Sequence, residues 1–342
     1  MRSLVSRSLR NPDRAPGPLG AASGGPAEPG WPDNRGLTST SSRADWLLFI
    51  LLGFLWGSSF LFIKIGVDAG LQPFTLVTLR LLIGFGLLVT VVGFAREKLP
   101  RDWRMYVHLL VLGCINIALP FALITWAEQS VHSTLASVLN SAVPLFTIPI
   151  AALFLHNERI TANRVAGLIV GFLGVVVLVG FDPAELAAGD LAAELALIGA
   201  AVSYACGTVY ARRHVHGLRP MIPALCQVGF GLLVSAALAF TFERPMELSL
   251  PPEALLAVVW LGLLGSGAAY LVYFRLLHDW GATRTSLVAY LLPVFGIALG
   301  VLVLSEPLDA RLVLGTALII GGVALVNTRF RRRHLARRAT SA

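Results

Sequence analysis

The sequence predicts an all-α integral membrane protein with ten transmembrane helices, arranged as two inverted repeats of five helices each. Three observations support this fold class: a very apolar composition, a regular alternation of basic residues between loops, and a resemblance between the two halves of the chain. Hydrophobic residues make up 56% of the 342 residues and charged residues only 13%, whereas about 25% of a soluble domain is charged. Lipid must therefore surround much of this chain.

Ten apolar runs are long enough to cross a bilayer, because a hydrocarbon core about 30 Å thick is spanned by about 20 helical residues. Each run is continuously apolar, which excludes the alternating strands of a membrane β-barrel. The predicted helices are roughly 46–66, 73–94, 105–126, 134–155, 165–181, 191–211, 221–242, 254–274, 285–304 and 312–328.

Lys and Arg residues give an independent test of this number, because they accumulate in cytoplasmic loops. The two tails and the even-numbered loops hold 23 of the 27 Lys and Arg residues, and the odd-numbered loops hold only Arg244 and Arg311. Such an alternation requires an even number of helices. It predicts that both termini are cytoplasmic, in a plasma or inner membrane.

The two ends of the chain differ from the apolar runs. Residues 1–43 are rich in Pro, Gly, Ser and Arg, and such a segment cannot bury enough apolar surface to become ordered. We expect a disordered basic cytoplasmic tail there and a second basic cytoplasmic tail at 329–342. The net charge of +8 comes from these tails and from short loops, so we expect the lipid bilayer, and not a nucleic acid, as the partner.

The two halves, 46–181 and 191–328, align as five-helix repeats. An odd number of helices makes the second copy enter the membrane from the opposite side. Inverted repeats of this kind recur in secondary transporters, which bind substrate between the repeats near the midplane. The corresponding pairs are Trp56 with Tyr204, Arg80 with Gln227, Gly113 with Gly262, Pro144 with Pro293, Glu158 with Glu306, and Gly167 with Gly315. Because the first two pairs differ in chemistry, the site need not be symmetric.

A family resemblance is carried by four motifs. They are WGSSF at 56–60, TLRLLIG around Arg80, and the two similar repeat endings LFLHNERITANRVAGLIVGFLGVVVL and LVLSEPLDARLVLGTALIIGGVAL. In these motifs the chain resembles the EamA-type transporters of the drug/metabolite transporter superfamily, over nearly all of residues 46–328. The resemblance implies ten helices with both termini inside, and transport or export of amino acids or other small metabolites.

Arg80 is the strongest candidate for a functional residue. It lies seven residues after Pro73, so on a helix it is about 10 Å deep. A charge inside a membrane span is costly and usually faces a cavity, and a guanidinium group can bind a carboxylate through two hydrogen bonds. The alternative is a structural arginine whose charge is satisfied by helix carbonyl groups or by Glu128. The sequence leaves both roles open.

Pro144 and Pro293 occupy corresponding positions within the fourth and ninth predicted helices. Proline removes a backbone hydrogen bond from a helix, and paired interruptions are the best sequence signature of a transporter site. We predict that both prolines kink their helices and line or gate the site. The alternative is a pair of kinks that only shape the packing.

Polar and aromatic residues at similar depth would complete a substrate-binding site, since aromatic rings combine stacking area with a polar group. For each of them, helix packing or an interhelical hydrogen bond is the competing role. The predicted substrate-binding residues besides Arg80 are Trp56, Ser59, Asn116, Trp126, Asn140, Tyr204, Tyr270 and Tyr290.

Several kinds of chemistry have no sequence signature. The chain has no phosphate-binding loop of the G-x-x-x-x-G-K-[ST] type and no His, Cys or Glu cluster with metal-ligand spacing, so we expect no cofactor, no metal and no catalytic residues. No carboxylate lies in the middle of a predicted helix, which favours facilitated movement or exchange over coupling through an embedded acid. A longer third helix that reached Glu128 would change this expectation.

The leading hypothesis is a secondary carrier that exports small anionic or zwitterionic solutes by alternating access between the repeats. One alternative is a membrane-embedded enzyme, although the short loops offer no converging acid, base or metal ligands. The other is a non-transporting membrane partner or scaffold protein. The sequence is compatible with a monomer or a homodimer.

Overall fold

The computed structural model describes residues 43–97, 99–155, 161–179, 190–215, 218–219, 221–245, 250–280 and 285–327. Within these ranges the chain forms ten helices and no β-strand. The two predicted tails and Glu158 lie outside the described residues, so the expectations about them remain predictions.

The first repeat contributes five helices. They are α1 Arg43–Asp68, α2 Pro73–Phe94, α3 Trp103–Ala127, α4 Ser133–Phe154 and α5 Ala162–Val179. Two of them are irregular inside the membrane. α3 contains a π-helical segment at Cys114–Ala118, and α4 is interrupted between Ser133–Asn140 and Val143–Phe154.

The second repeat contributes five more helices with matching irregularities. They are α6 Asp190–His214, α7 Met221–Phe242, α8 in three parts (Pro252–Val259, the π-helical Trp260–Ala268 and Ala269–Trp280), α9 in two parts (the 3₁₀ turn Ser286–Tyr290 and Leu291–Leu304), and α10 Ala310–Asn327. α8 and α3 are therefore both π-helical in part, and α9 and α4 both have an interrupted first half. α8 also continues to Trp280, six residues past the predicted end.

The composition and surface of these helices are those of a membrane protein. Among the described residues, nine helices are long and apolar enough to cross a membrane, and α10 is apolar but slightly shorter over Ala310–Val326. Large apolar side chains cover the outside of the bundle, such as Leu153 at 81% exposure and Leu302 at 80%. Water would not stabilise such a surface, whereas lipid does. The predicted all-α membrane fold is confirmed.

Packing between the helices follows the predicted inverted repeat. α1 packs on α9 and α8, and their counterparts α6, α4 and α3 pack together in the same way. α2 packs on α8, as α7 packs on α3, and the corresponding pairs α2–α7 and α5–α10 each meet directly. Every one of these contacts has its symmetry mate, so the two halves are related by a pseudo-twofold axis and share one interface.

α5 and α10 approach each other through glycines. A methyl group on Gly167 would lie 2.6 Å from the Gly322 carbonyl oxygen, and one on Gly174 would lie 2.8 Å from the Gly315 carbonyl oxygen. Only glycine allows backbones to pack at this distance. These Gly pairs therefore serve packing between the repeats within one chain.

Two glutamates of the second repeat bind the N-termini of helices in the first. Glu306, after α9, accepts hydrogen bonds from the Ser133 N–H at 2.8 Å, the Ser133 hydroxyl at 2.9 Å and the Thr134 N–H at 2.9 Å. Glu243, after α7, accepts from the N–H and the hydroxyl of Thr75, both at 2.7 Å. Because a helix N-terminus has unpaired N–H groups and partial positive charge, these carboxylates fasten the repeats together at the predicted outer end.

A small apolar cluster lies where α2, α3 and α7 meet. Its buried members are Val77, Leu81, Leu88, Ile117 and Val228. The helix that carries Arg80 is thus held between the two repeats by close packing, which places the guanidinium group at their interface.

Candidate functional site

The site is built where each repeat presents a π-helical segment to the other. A π-helical turn is wider than an α-helical turn and occurs often at functional sites. A methyl group on Gly113, next to the α3 segment, would lie 3.2 Å from the Gln227 carbonyl oxygen. A methyl group on Gly262, in the α8 segment, would lie 3.0 Å from the Arg80 carbonyl oxygen. The fold thus places Arg80 and Gln227 in equivalent positions, each opposite a π-helical segment.

Arg80 is 3% exposed and contacts residues from both repeats. Its Nε–H donates to the Ser266 hydroxyl at 3.3 Å, and its Cζ atom lies 4.2 Å from the centre of the Phe121 ring. A cation over an aromatic face is stabilised by the ring quadrupole. Its two terminal nitrogens form no hydrogen bond with any residue that the structure describes. The four N–H groups on these two nitrogens are therefore not used by the described part of the chain.

Ser59 reaches the same place from α1. Its hydroxyl donates to the Leu55 carbonyl oxygen at 3.0 Å. A methyl group on Gly265 would lie 2.9 Å from the Ser59 oxygen and 3.7 Å from Nη2 of Arg80. Gly265 therefore leaves room for both groups, and α1, α2 and α8 meet at this point.

Aromatic side chains lie beside Arg80. Trp56 packs nearly perpendicular to Tyr270, with ring centres 6.2 Å apart, and against Tyr273 at 5.4 Å. Tyr204 and Tyr270 both lie within electrostatic reach of the guanidinium group. We name Arg80, Ser266, Ser59, Trp56, Phe121, Tyr204 and Tyr270 the Arg80 cluster. It combines one buried cation with several aromatic rings at the interface of the two repeats.

The corresponding place in the second repeat carries no charge. The Asn116 side-chain amide donates to Oε1 of Gln227 at 2.8 Å. A methyl group on Gly207 would lie 2.8 Å from Oδ1 of Asn116, just as one on Gly265 would meet Ser59. We name Asn116, Gln227 and Gly207 the Gln227 cluster. It is a neutral counterpart of the Arg80 cluster.

Three other predicted residues lie elsewhere. Trp126 is 46% exposed, and Oδ1 of Asn140 is buried without a hydrogen-bond partner among the described residues. Tyr290 ends the 3₁₀ turn of α9 and packs on the main apolar core. Within the described ranges, no hydrogen bond, ion pair or ring contact joins Trp126 or Asn140 to Arg80, so their role in binding stays a prediction.

Pro144 and Pro293 both follow an interruption. Pro144 is the second residue of Val143–Phe154, and Pro293 is the third residue of Leu291–Leu304. A proline in the first turn costs no hydrogen bond, because the N–H groups there have no helical partner. The prolines therefore mark where the α-helical parts of α4 and α9 begin, and the predicted bending of these helices stays a prediction. Their role in gating is untested.

Sequence reasoning missed two neighbours of Arg80, Ser266 and Phe121, and did not predict the burial of Glu128. Ser266 and Phe121 lie in apolar stretches where they look like packing residues. Matching the repeats points to Phe121, which corresponds to the predicted site residue Tyr270, but not to Ser266, which corresponds to Ile117. Glu128 was placed beyond the third helix. α3 runs to Ala127, and Glu128 at its end is completely buried, so a buried carboxylate is present after all.

Comparison with known proteins matches both halves of the chain to one family. The model of the EamA-like transporter family matches residues 45–180 and again residues 191–328. A solved crystal structure of 24% identity aligns over 83% of this chain and 97% of its own, with a TM-score of 0.59, which supports the fold alone.

Relatives of similar length carry transporter names. The inner membrane transporter YedA of Escherichia coli K12, described as uncharacterized, is 30% identical over 80% of this chain and 87% of its own. The uncharacterized transporter YoaV of Bacillus subtilis is 24% identical over 82% and 95%. A protein of Salmonella typhimurium LT2, described as a probable amino-acid metabolite efflux pump, is 27% identical over 86% and 99%.

Proposed function

Because the chain belongs to the EamA-like transporter family, we propose that it is a secondary carrier that exports small anionic or zwitterionic metabolites, such as amino acids. The observation that supports this proposal most directly is the state of Arg80. It is a buried cation at the interface of the two repeats, and its terminal nitrogens have no hydrogen-bond partner in the described part of the chain. A guanidinium group in this state recognises a carboxylate through two parallel hydrogen bonds. The name of the Salmonella relative agrees with an amino-acid substrate and with export.

Alternating access follows from the inverted repeat. Since the two halves pack through symmetry-related contacts, each half can take the conformation of the other, and this exchange would open the site on the opposite side. Arg80 is closed off in this structure, so substrate entry requires such a movement. A substrate bound at Arg80 would then contact residues from both repeats.

The remaining parts of the proposal concern the membrane location, the orientation and the oligomeric state. We place the protein in the plasma or inner membrane with both termini cytoplasmic, as a monomer or homodimer that binds lipid and no nucleic acid. Its activity is transport and not catalysis. The non-transporting scaffold is the competing hypothesis, and a flux measurement separates the two.

The test uses purified full-length protein in liposomes and a panel of labelled amino acids and small carboxylic acids. We expect saturable counterflow of at least one compound, its loss in Arg80→Ala, and partial recovery in Arg80→Lys, which keeps the charge without the two-pronged geometry. Gly86→Ala is the matched control on α2, because nothing lies within 4 Å of an added methyl group there.

Two results would overturn the proposal. Absence of flux for every compound in the panel, with correctly folded protein, would favour the scaffold. Normal flux in Arg80→Ala, with wild-type affinity, would leave a transporter but remove Arg80 from the substrate site.

A further inference from the structure

Glu128 is a completely buried acid that the proposed substrate site does not use. It follows the last residue of α3, and its own N–H still bonds to the Ile124 carbonyl oxygen at 3.0 Å. The residue has 0% exposure, and neither Oε1 nor Oε2 has a hydrogen-bond partner among the described residues. An ionised carboxylate without partners is very unfavourable in such surroundings. The environment therefore favours the neutral, protonated acid.

The nearest cation does not compensate the carboxylate. The Lys64 ammonium group donates to the backbone carbonyl oxygen of Glu128 at 2.9 Å, and it forms an ion pair with Oδ1 of Asp68 at 3.0 Å. Lys64 is thus already neutralised by Asp68, while the side chain of Glu128 stays unpaired.

The other charged groups around Glu128 come from several elements. Arg80 on α2 acts on it with positive charge, and Glu306 after α9 acts with negative charge. Glu306 has His132 4.0 Å away. Glu194 lies buried on α6, the helix packed along α3, and has interactions of its own. None of these groups forms an ion pair with Glu128 within the described residues.

Glu306 shows what a structural buried glutamate looks like in this protein. It is also nearly inaccessible, at 6% exposure, but its two oxygens accept three hydrogen bonds from the start of α4. Hydrogen bonds from N–H groups stabilise the ionised form. Glu128 has no such donors among the described residues, so its surroundings lack the hydrogen bonds that hold the Glu306 side chain in place.

Position links Glu128 to the Arg80 cluster. Phe121, whose ring lies under the Arg80 guanidinium group, is seven residues before Glu128. Seven residues are nearly two turns, so both side chains lie on the same face of α3, about 10 Å apart along its axis. A zwitterionic substrate whose carboxylate pairs with Arg80 also carries an ammonium group. Ionised Glu128, on the adjoining stretch of α3, is an anion that can pair with this ammonium group.

We propose that Glu128 is a proton-binding site, and that its proton is exchanged for a zwitterionic substrate. The inference rests on the proposed transport function and narrows it. Substrate entering from the cytoplasm pairs with the carboxylate, and the proton leaves to cytoplasmic water. After release outside, Glu128 takes a proton from external water, so each substrate exported returns one proton. Competition for one carboxylate makes the two binding events mutually exclusive.

The first measurement tests proton occupancy without substrate. Infrared spectra of purified full-length protein are recorded at about pH 7, where exposed carboxyl groups are ionised. We expect a protonated-carboxyl band in the wild type that Glu128→Gln lacks. Glu253→Gln, which removes an exposed acid from the first turn of α8, should keep the band, and Glu128→Asp should keep a shifted one. An unchanged band in a folded Glu128→Gln protein overturns the proton site.

The second measurement tests exchange, with an equimolar mixture of the proteinogenic amino acids as the probe. In weakly buffered solution the mixture should release protons from the wild type and from Glu253→Gln, but not from Glu128→Gln. In liposomes a pH gradient should drive accumulation by the wild type and by Glu128→Asp, which keeps a titratable carboxyl group at this position, but not by Glu128→Gln.

The outcomes separate the two proposals. Flux in the wild type that ignores the pH gradient, with no proton release, overturns proton exchange and leaves the carrier intact. Absence of any counterflow beside a clear Glu128 band overturns the amino-acid carrier and leaves the proton site standing. Equal gradient-driven accumulation by wild type and Glu128→Gln overturns the role of Glu128.

Discussion

The Arg80 cluster and the Gln227 cluster occupy equivalent places in the two repeats and differ in charge. Both lie opposite a π-helical segment, and both have a glycine that leaves room for a polar side chain. In the first repeat the two terminal nitrogens of Arg80 have no hydrogen-bond partner among the described residues, whereas in the second the amide of Gln227 is paired with Asn116 at 2.8 Å. The backbone has thus kept its symmetry, while the side chains give one half a buried cation and the other half a neutral amide pair.

The largest effect should come from making the two halves alike. Arg80→Gln gives the first repeat the amide of the second and removes the charge. A hydrogen-bonded charge of this kind contributes up to about 3 kcal/mol, so we expect transport efficiency to fall about 100-fold. Initial-rate flux across substrate concentrations measures it. Efficiency within threefold of the wild type would show that the charge difference between the clusters has no functional meaning.

The backbone symmetry makes a second prediction. A methyl group on Gly113 would lie 2.6 Å from Cβ of Phe230, and one on Gly262 would lie 2.6 Å from Cβ of Ile83. Cβ atoms cannot rotate away, so Gly113→Ala and Gly262→Ala should each cost about 1–3 kcal/mol of stability. Thermal unfolding in detergent would detect both losses. Gly93→Ala is the control, with no atom within 4 Å of the added methyl group. Clearly unequal losses of stability in Gly113→Ala and Gly262→Ala would show that the two contacts are not equivalent.

A third prediction concerns the neutral cluster. Gln227→Ala removes the acceptor for the Asn116 amide, a loss of about 1 kcal/mol for a neutral pair. We expect flux to fall tenfold at most, well short of the Arg80→Gln effect. Flux of the two variants should be compared in the same liposome preparation. A larger loss in Gln227→Ala would move the main substrate contact to the second repeat.

The smallest effect should come from Ser266→Ala. Its hydrogen bond to Nε of Arg80 is long, at 3.3 Å, and Phe121 continues to support the guanidinium group. We expect a two- to threefold rise in the substrate concentration at half-maximal flux, from a loss of about 0.5 kcal/mol. Stability should not change. A complete loss of flux would instead mean that Ser266 contacts the substrate.

The sequence predicted the helices well because their signal is local. Apolar runs and basic loops depend only on neighbouring residues, and the depth of Arg80 follows from its distance to Pro73. The partners of Arg80 depend on long-range packing: Ser266 lies 186 positions away. The π-helical turn at Cys114–Ala118 also shifts the faces of α3, so a regular helical projection misplaces every residue that follows it.

Glu128 shows a different limit. By sequence, an acid at the end of an apolar run looks like a residue in water. Whether neighbouring helices cover that end depends on how far each of them projects beyond it, and this length difference of a few residues lies within the uncertainty of predicted helix ends. Trp126, two positions earlier, shows the reverse, since a ring expected inside is 46% exposed.

The glycine contact between α5 and α10 restricts how the molecule can work. Backbones that touch without intervening side chains have no flexible groups to absorb sliding, so tilting them apart would open a gap that neither lipid nor water fills well. In the proposed alternating-access cycle, motion between inward- and outward-facing shapes would therefore spare this pair. α5 and α10 would then act as the fixed pivot, and the rearrangement would fall on the other eight helices.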